Sequence, residues 1–264
     1  MADIDTIDHA RKAISDRAEL PGMSLMEHLE ELRKRIIRSA IYLVVGMAVA
    51  YFFSTGIVNY LQKPLMDVGL TMTQTHPTDA LNLYLKTAFV AGAIFASPFI
   101  LYQVWLFISP GMYSHEKKYV WPFMSATVGL FLAGAWFGYR WVLPGAIEVL
   151  VIKMGKNFTH MITIEDYMGF FMAVILGLGI CFELPILIFF LSLFGIVDAK
   201  FLLRHFRYAV LAIFIIAGII CPLPDPMSMC LFASPMLALY FLGVAVAYFV
   251  HPNRRNKAEE PKPA

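Results

Sequence analysis

Long apolar runs alternate with short polar connections along this chain. Four runs stand out at once, at residues 36–53, 88–108, 119–143 and 168–196, and a fifth, 227–250, follows the broken stretch Cys221-Pro222-Leu223-Pro224-Asp225-Pro226. Each is close to or above the roughly 20 residues an α-helix needs to cross a bilayer. None alternates apolar and polar residues as a barrel strand does. Between the fourth and fifth runs lie the 13 residues 208–220, about 20 Å of helix at about 1.5 Å per residue. A hydrocarbon core of about 30 Å is deeper than that, so this segment thins the bilayer locally or stops short of crossing it. The pattern predicts six helices, the fifth of them short. Pro98, Pro144 and Pro235 fall in or near the runs and predict kinks.

Ahead of the first run, Leu25, Leu29, Leu32 and Ile36 recur at helical spacing among charges. They predict an amphipathic lead-in over 24–35 lying at the membrane interface. Ser24 followed by Glu27 is a capping-box start. Glu30 with Lys34 and Glu31 with Arg35 are spaced for i,i+4 pairing, and composition alone favours that surface role over a binding site.

Composition narrows the class. The chain has 264 residues, 59% hydrophobic and 15% charged, against about 25% charged in ordinary soluble domains. It cannot cover a water-facing surface with polar groups, and its apolar excess excludes disorder. A net charge of +2 gives no case for nucleic acid, and three cysteines are too few for a disulfide framework. No metal-ligand spacing, phosphate-cradling loop or nucleophile–base arrangement is visible, so neither an enzyme nor a cofactor is expected. The reading is a polytopic all-α membrane protein.

Orientation follows from the basic residues. Arg11, Lys12, Arg17, Arg33, Lys34, Arg35, Arg38, Lys117, Lys118, Lys200, Arg204, Arg207, Arg254, Arg255, Lys257 and Lys262 fall on one side of a six-helix layout. Only Lys63, Lys86, Arg140, Lys153 and Lys156 remain for the other. Both termini are therefore expected in the cytoplasm. The layout divides into an N-terminal arm at 1–22, a membrane domain at 23–250 and a charged tail at 251–264. The first 22 residues are acidic and lack an apolar core, so no cleaved signal peptide is expected.

Glu183 stands near the middle of the fourth run, in Gly179-Ile180-Cys181-Phe182-Glu183-Leu184-Pro185. A carboxylate there costs about 2.5–3.5 kcal/mol on insertion scales, so it should face protein or a wet cavity. Pro185 frees the carbonyl of Cys181, and Gly179, one turn before Glu183, leaves space for a partner. Two readings stay open: a functional intramembrane site, or a protonated acid bonding a neighbouring helix as structural glue. A further cluster, Tyr102 to Lys118, joins aromatic anchors to a Pro110-Gly111 turn and a charged helix start. There Glu116 also has a plain role, complementing the helix dipole.

In this order the clusters resemble the TatC family, the core of the twin-arginine protein translocase. The matching stretches are His28-Leu29-x-Glu31-Leu32-Arg33-x-Arg35, Pro64-Leu65, Tyr102-Gln103-Val104-Trp105-x-Phe107-Ile108-x-Pro110-Gly111-x-Tyr113-x-x-Glu116, Phe182-Glu183-x-Pro185 and Pro224-Asp225. The resemblance implies a concave, glove-like bundle of six helices in the bacterial cytoplasmic (inner) membrane. It implies a receptor for Arg-Arg signal peptides of folded cargo, which recruits TatA- and TatB-family single-helix proteins, assembles with other TatC copies and works on the proton-motive force. Signal-peptide binding would fall to Glu31, Glu116, Arg33, Phe107 and Lys118. Partner binding within the membrane would fall to Glu183, Gly179 and Met229, and periplasmic structural roles to Pro64 and Asp225. Two carboxylates near each other would select consecutive arginines, because a guanidinium fork bonds a carboxylate bidentately and an ammonium cannot. The sequence departs from the family in two places. Pro222-Leu223-Pro224-Asp225-Pro226-Met227-Ser228-Met229 lacks a Thr and a Gln of a polar cluster tied to partner docking, and Lys117-Lys118 stands where Arg-Arg is common. The competing class is a proton-coupled small-solute carrier with Glu183 as relay, which repeat symmetry would favour and which none visible here supports.

Overall fold

The computed structural model describes residues 25–108, 120–154, 161–193, 195–220 and 226–250. Its first element, α1 (Leu25–Phe52), is one unbroken helix of 28 residues. The segment read as an amphipathic lead-in is continuous with the apolar run: no residue between 24 and 36 stops a helix, and the polar turns run straight into the apolar ones. Next comes α2 (Ser54–Met66), a helix the apolar runs do not announce, with Pro64 inside it. Gly69, at φ +78°, closes its C-terminus while Leu70 N–H donates to the carbonyl of Leu65 at 3.1 Å, the left-handed turn that glycine accommodates best.

The second membrane helix, α3 (Asp79–Ile108), begins well before residue 88. The buried Asp79 carboxylate fixes that start, accepting from the N–H groups of Thr75 (2.7 Å) and His76 (2.8 Å). Helix three is a composite: α4 (Val120–Phe137), a π-helical turn Gly138–Val142, α5 (Leu143–Ile147) and a second π-helical stretch, Glu148–Met154. Pro144 is flanked by these wide turns, whereas α3 continues through Pro98 and the last helix through Pro235. A two-residue parallel bridge, β1 (Met72–Thr73) with β2 (Ile162–Thr163), ties the segment before α3 to the one before helix four.

Helix four is not the single element expected over 168–196. It is α6 (Ile164–Cys181), a turn at Phe182 and Glu183, and α7 (Leu184–Leu193). Pro185 sits in the first turn of α7, where its missing N–H has no intrahelical acceptor to lose. After α8 (Ala199–Arg204) come the short fifth helix, α9 (Phe206–Ile220), and α10 (Pro226–Val250). Among the described residues five helices are long and apolar enough to cross a membrane, and Phe206–Ile220 is a shorter apolar one. Its 15 residues reach about 22 Å at about 1.5 Å per residue, short as the pattern predicts.

Glycines set the close crossings. A Cβ on Gly92 would lie 2.5 Å from the backbone nitrogen of Met47, and one on Gly46 would lie 2.6 Å from the Gly92 carbonyl. These two bare positions let α1 and α3 touch backbone to backbone. In α2, Pro64 supplies no N–H to the carbonyl of Tyr60, and Tyr139 from the π-helical turn donates its hydroxyl there at 2.9 Å. Tyr167 of α6 does the same for the carbonyl of Leu61 at 2.7 Å.

Candidate functional site

The crossing of α1 and α3 aligns side chains along both helices. His28 stacks on Phe107 (centroids 4.5 Å apart), Arg35 reaches Gln103, and Tyr42 meets Phe99 at 5.5 Å. Glu31 sits one turn from His28 and from Arg35, so it lies on the face that α3 covers. Both i,i+4 ion pairs read from the sequence are present, in different settings. Glu30–Lys34, at 2.8 Å, is exposed, and its worth is that of a solvated surface pair. Glu31–Arg35, at 2.9 Å, has side chains only 17% and 19% exposed.

The inner pair is incompletely satisfied. Arg35 donates Nη2 to Glu31 Oε1 and Nη1 to Gln103 Oε1 at 3.1 Å, while Glu31 Oε2 and Arg35 Nε are buried with no hydrogen-bond partner. Glu27, Glu30, Glu31, Lys34, Arg35 and Arg38 line a cavity of about 330 Å³. Three carboxylates and three cations make this a self-neutralised site, able to exchange one cationic partner for another.

Of the expected signal-binding residues, the structure brings Glu31 and Phe107 onto this face. Arg33 points away and is exposed. Glu116, Lys118 and Asp225 lie outside the described residues. Gln103, Arg35 and His28 were in the sequence motifs without a site role. Their signal is long-range: Gln103 is the buried polar group of α3 that meets the charged turn of α1.

The intramembrane set divides. Glu183, in the break of helix four, keeps Oε1 buried with no hydrogen-bond partner. Gly179 is buried, and the room beside it is filled from within the chain, since a Cβ there would lie 2.9 Å from the ring of Phe131. Ile180 next to it is 65% exposed. Met229 packs on Gly218 of α9. Phe170 meets Phe232 and Ile188 meets Gly243, so Glu183 falls level with a stretch of α10 beyond Met229. Of the expected intramembrane set, Glu183 and Gly179 are thus carried by helix four and Met229 by α10. At the far end of helix four an aromatic cluster joins α3, α4 and α7, with Trp105 edge-on to Phe190 at 5.0 Å and Phe123 against Phe189 at 4.4 Å. Among the described residues no group of His, Cys, Asp and Glu could hold a metal ion.

Among the described residues, five apolar helices of membrane-crossing length and a shorter sixth, with an acid in a helix break and a partly buried ion pair at the first crossing, define a multi-pass helical membrane protein. The profile described as Sec-independent protein translocase protein (TatC) matches residues 27–235. A protein of that name from Koribacter versatilis is 48% identical, covering 98% of this chain and 97% of its own length. One from Deinococcus radiodurans is 36% identical over 93% of each. Two crystal structures of the twin-arginine translocase receptor TatC, one of them in the detergent DDM, are 33% identical and superpose with TM-scores of 0.76 and 0.77. Each covers 84% of this chain, and the match spans 98% and 99% of theirs. The chain belongs to the TatC family and is a membrane component of the Sec-independent, twin-arginine protein translocase.

Proposed function

We propose that this chain is the receptor subunit of its translocase, binding Arg-Arg signal peptides of folded cargo at the α1–α3 crossing. The observation that carries this is the Glu31 carboxylate holding the guanidinium of Arg35 beside Gln103, a guanidinium site that an incoming arginine can take over. Phe107 and His28 offer an aromatic wall beside it, on which the guanidinium plane or the apolar stretch of a signal can lie. Glu116 and Lys118 are assigned to the same site on the family resemblance. The basic bias supports a cytoplasmic position for this face and for both termini of a chain seated in the bacterial inner membrane.

Glu183 and the exposed Ile180 face offer a polar contact in an apolar setting, suited to single-helix partners of the TatA and TatB families. With other copies of the chain these assemble a complex driven by the proton-motive force. The test is capture of detergent-solubilised protein on an immobilised Arg-Arg signal peptide and on its Lys-Lys version. Retention on the first and loss on the second is expected, and equal retention on both ends the proposal.

A further inference from the structure

Glu31 already holds a cation of its own chain. Oε1 already accepts from Arg35, and Oε2 is buried without a hydrogen-bond partner. A guanidinium arriving from outside therefore meets the carboxylate only after Arg35 moves. The seated pair is also imperfect. Arg35 spends one terminal nitrogen on Glu31 and the other on Gln103, and its Nε is buried with no hydrogen-bond partner. An unconstrained arginine can present two parallel N–H groups to the two carboxylate oxygens, a stronger geometry than the single-point contact in place.

We propose that Arg35 is a resident competitor for the signal arginine, an autoinhibitory contact latched by Gln103 and released when the peptide binds. The proposal rests on Glu31 being a receptor carboxylate. Arg35 is tethered one turn from Glu31, so its local concentration is fixed by the helix, and Gln103 on the facing helix sets how firmly it stays. A latch of this kind reduces the fraction of receptor that is competent to bind, and it weakens every ligand by the same factor. It leaves intact the preference for Arg-Arg over Lys-Lys, which comes from fork geometry. Its effect is a threshold, below which a lone arginine or a chance basic stretch does not open the site.

The test uses the full-length protein in detergent with fluorescent Arg-Arg and Lys-Lys signal peptides. Gln103→Leu and Arg35→Lys both preserve the charge of the cluster and remove the bridge between the helices. Each is expected to bind the Arg-Arg peptide roughly three- to tenfold more tightly, the scale of one lost side-chain hydrogen bond. The ratio between the two peptides stays at its wild-type value, and the double variant gains no more than Arg35→Lys alone. Monodisperse elution and an unchanged unfolding temperature establish that each variant is folded. Gln103→Asn, which keeps the amide but falls short of Arg35, replaces Gln103→Leu if that variant is unstable. Wild-type or weaker affinity in folded variants overturns the competitor. A wild-type protein that fails to distinguish the two peptides overturns the receptor reading itself, so the two failures are separate.

Discussion

Glu31 and Glu183 each keep one carboxylate oxygen buried with no hydrogen-bond partner, and in almost every other respect they differ. Glu31 lies inside an unbroken helix, one turn from a cation and across from a buried amide. Glu183 lies where a helix is interrupted, between the end of α6 and the start of α7. Among the described residues it forms no ion pair. A carboxylate with a resident cation is held ready to trade that cation for another. A carboxylate among apolar groups gains most from a neutral hydrogen-bonding neighbour arriving in the same low-dielectric setting, where its unmet acceptor is costly. Under the proposed function, the first setting suits charge recognition and the second suits helix docking.

Removing the two acids gives the largest expected contrast. Glu31→Ala should lower Arg-Arg peptide affinity roughly 10- to 100-fold, the range of a charge-assisted hydrogen bond, with the amount of protein in the membrane unchanged. Glu183→Ala should leave that affinity alone and abolish transport, with crosslinks from helix four to TatA- or TatB-type helices lost as well. Wild-type crosslinks and transport in Glu183→Ala would reduce Glu183 to structural glue.

Amide substitutions sharpen the same contrast with a smaller effect. Glu183→Gln retains donor and acceptor without charge and should keep partial transport. The bond at stake contributes about 1–2 kcal/mol in model peptides and nearer 0.6 in a folded membrane protein. Glu31→Gln should behave almost like Glu31→Ala, because a neutral amide cannot hold a guanidinium as a carboxylate does. Equal loss of peptide binding at both positions would erase the distinction. A last contrast leaves peptide binding untouched and concerns the packing of Gly179. Gly179→Ala drives a methyl toward the ring of Phe131, and overpacking of this kind costs about 1–3 kcal/mol. The expected readout is a lower unfolding temperature, with Arg-Arg peptide affinity at the wild-type value.

The sequence showed the spans because run length alone reports a membrane helix, and it showed both acid–base pairs on α1 because i,i+4 spacing is local. It hid what depends on distance along the chain. Arg35 and Gln103 are 68 positions apart, and no spacing rule links them. α2 was invisible because its thirteen residues mix Asn59, Gln62 and Lys63 with a proline, which reads as a connection. The break at Phe182 and Glu183 was disguised by apolar residues on both sides, and only Pro185 hinted at it. Gly179 was legible as a close-approach position, but its neighbour proved to be Phe131 of the same chain.

The two tyrosine hydroxyls on α2 also order events in time. The carbonyls of Tyr60 and Leu61 receive their donors from residues 79 and 106 positions later. At a synthesis rate of about 5–20 residues per second, the second of these trails by roughly 5–20 s. Until then α2 leaves the ribosome ahead of the groups that fasten it, with Tyr60 held open by its own proline. Water can serve those carbonyls meanwhile, which favours parking the segment at the bilayer surface until helix four arrives. Fastening of α2 is thereby completed only by the fourth membrane helix, and a nascent chain truncated before Tyr167 carries an α2 whose Leu61 carbonyl lacks its hydroxyl donor.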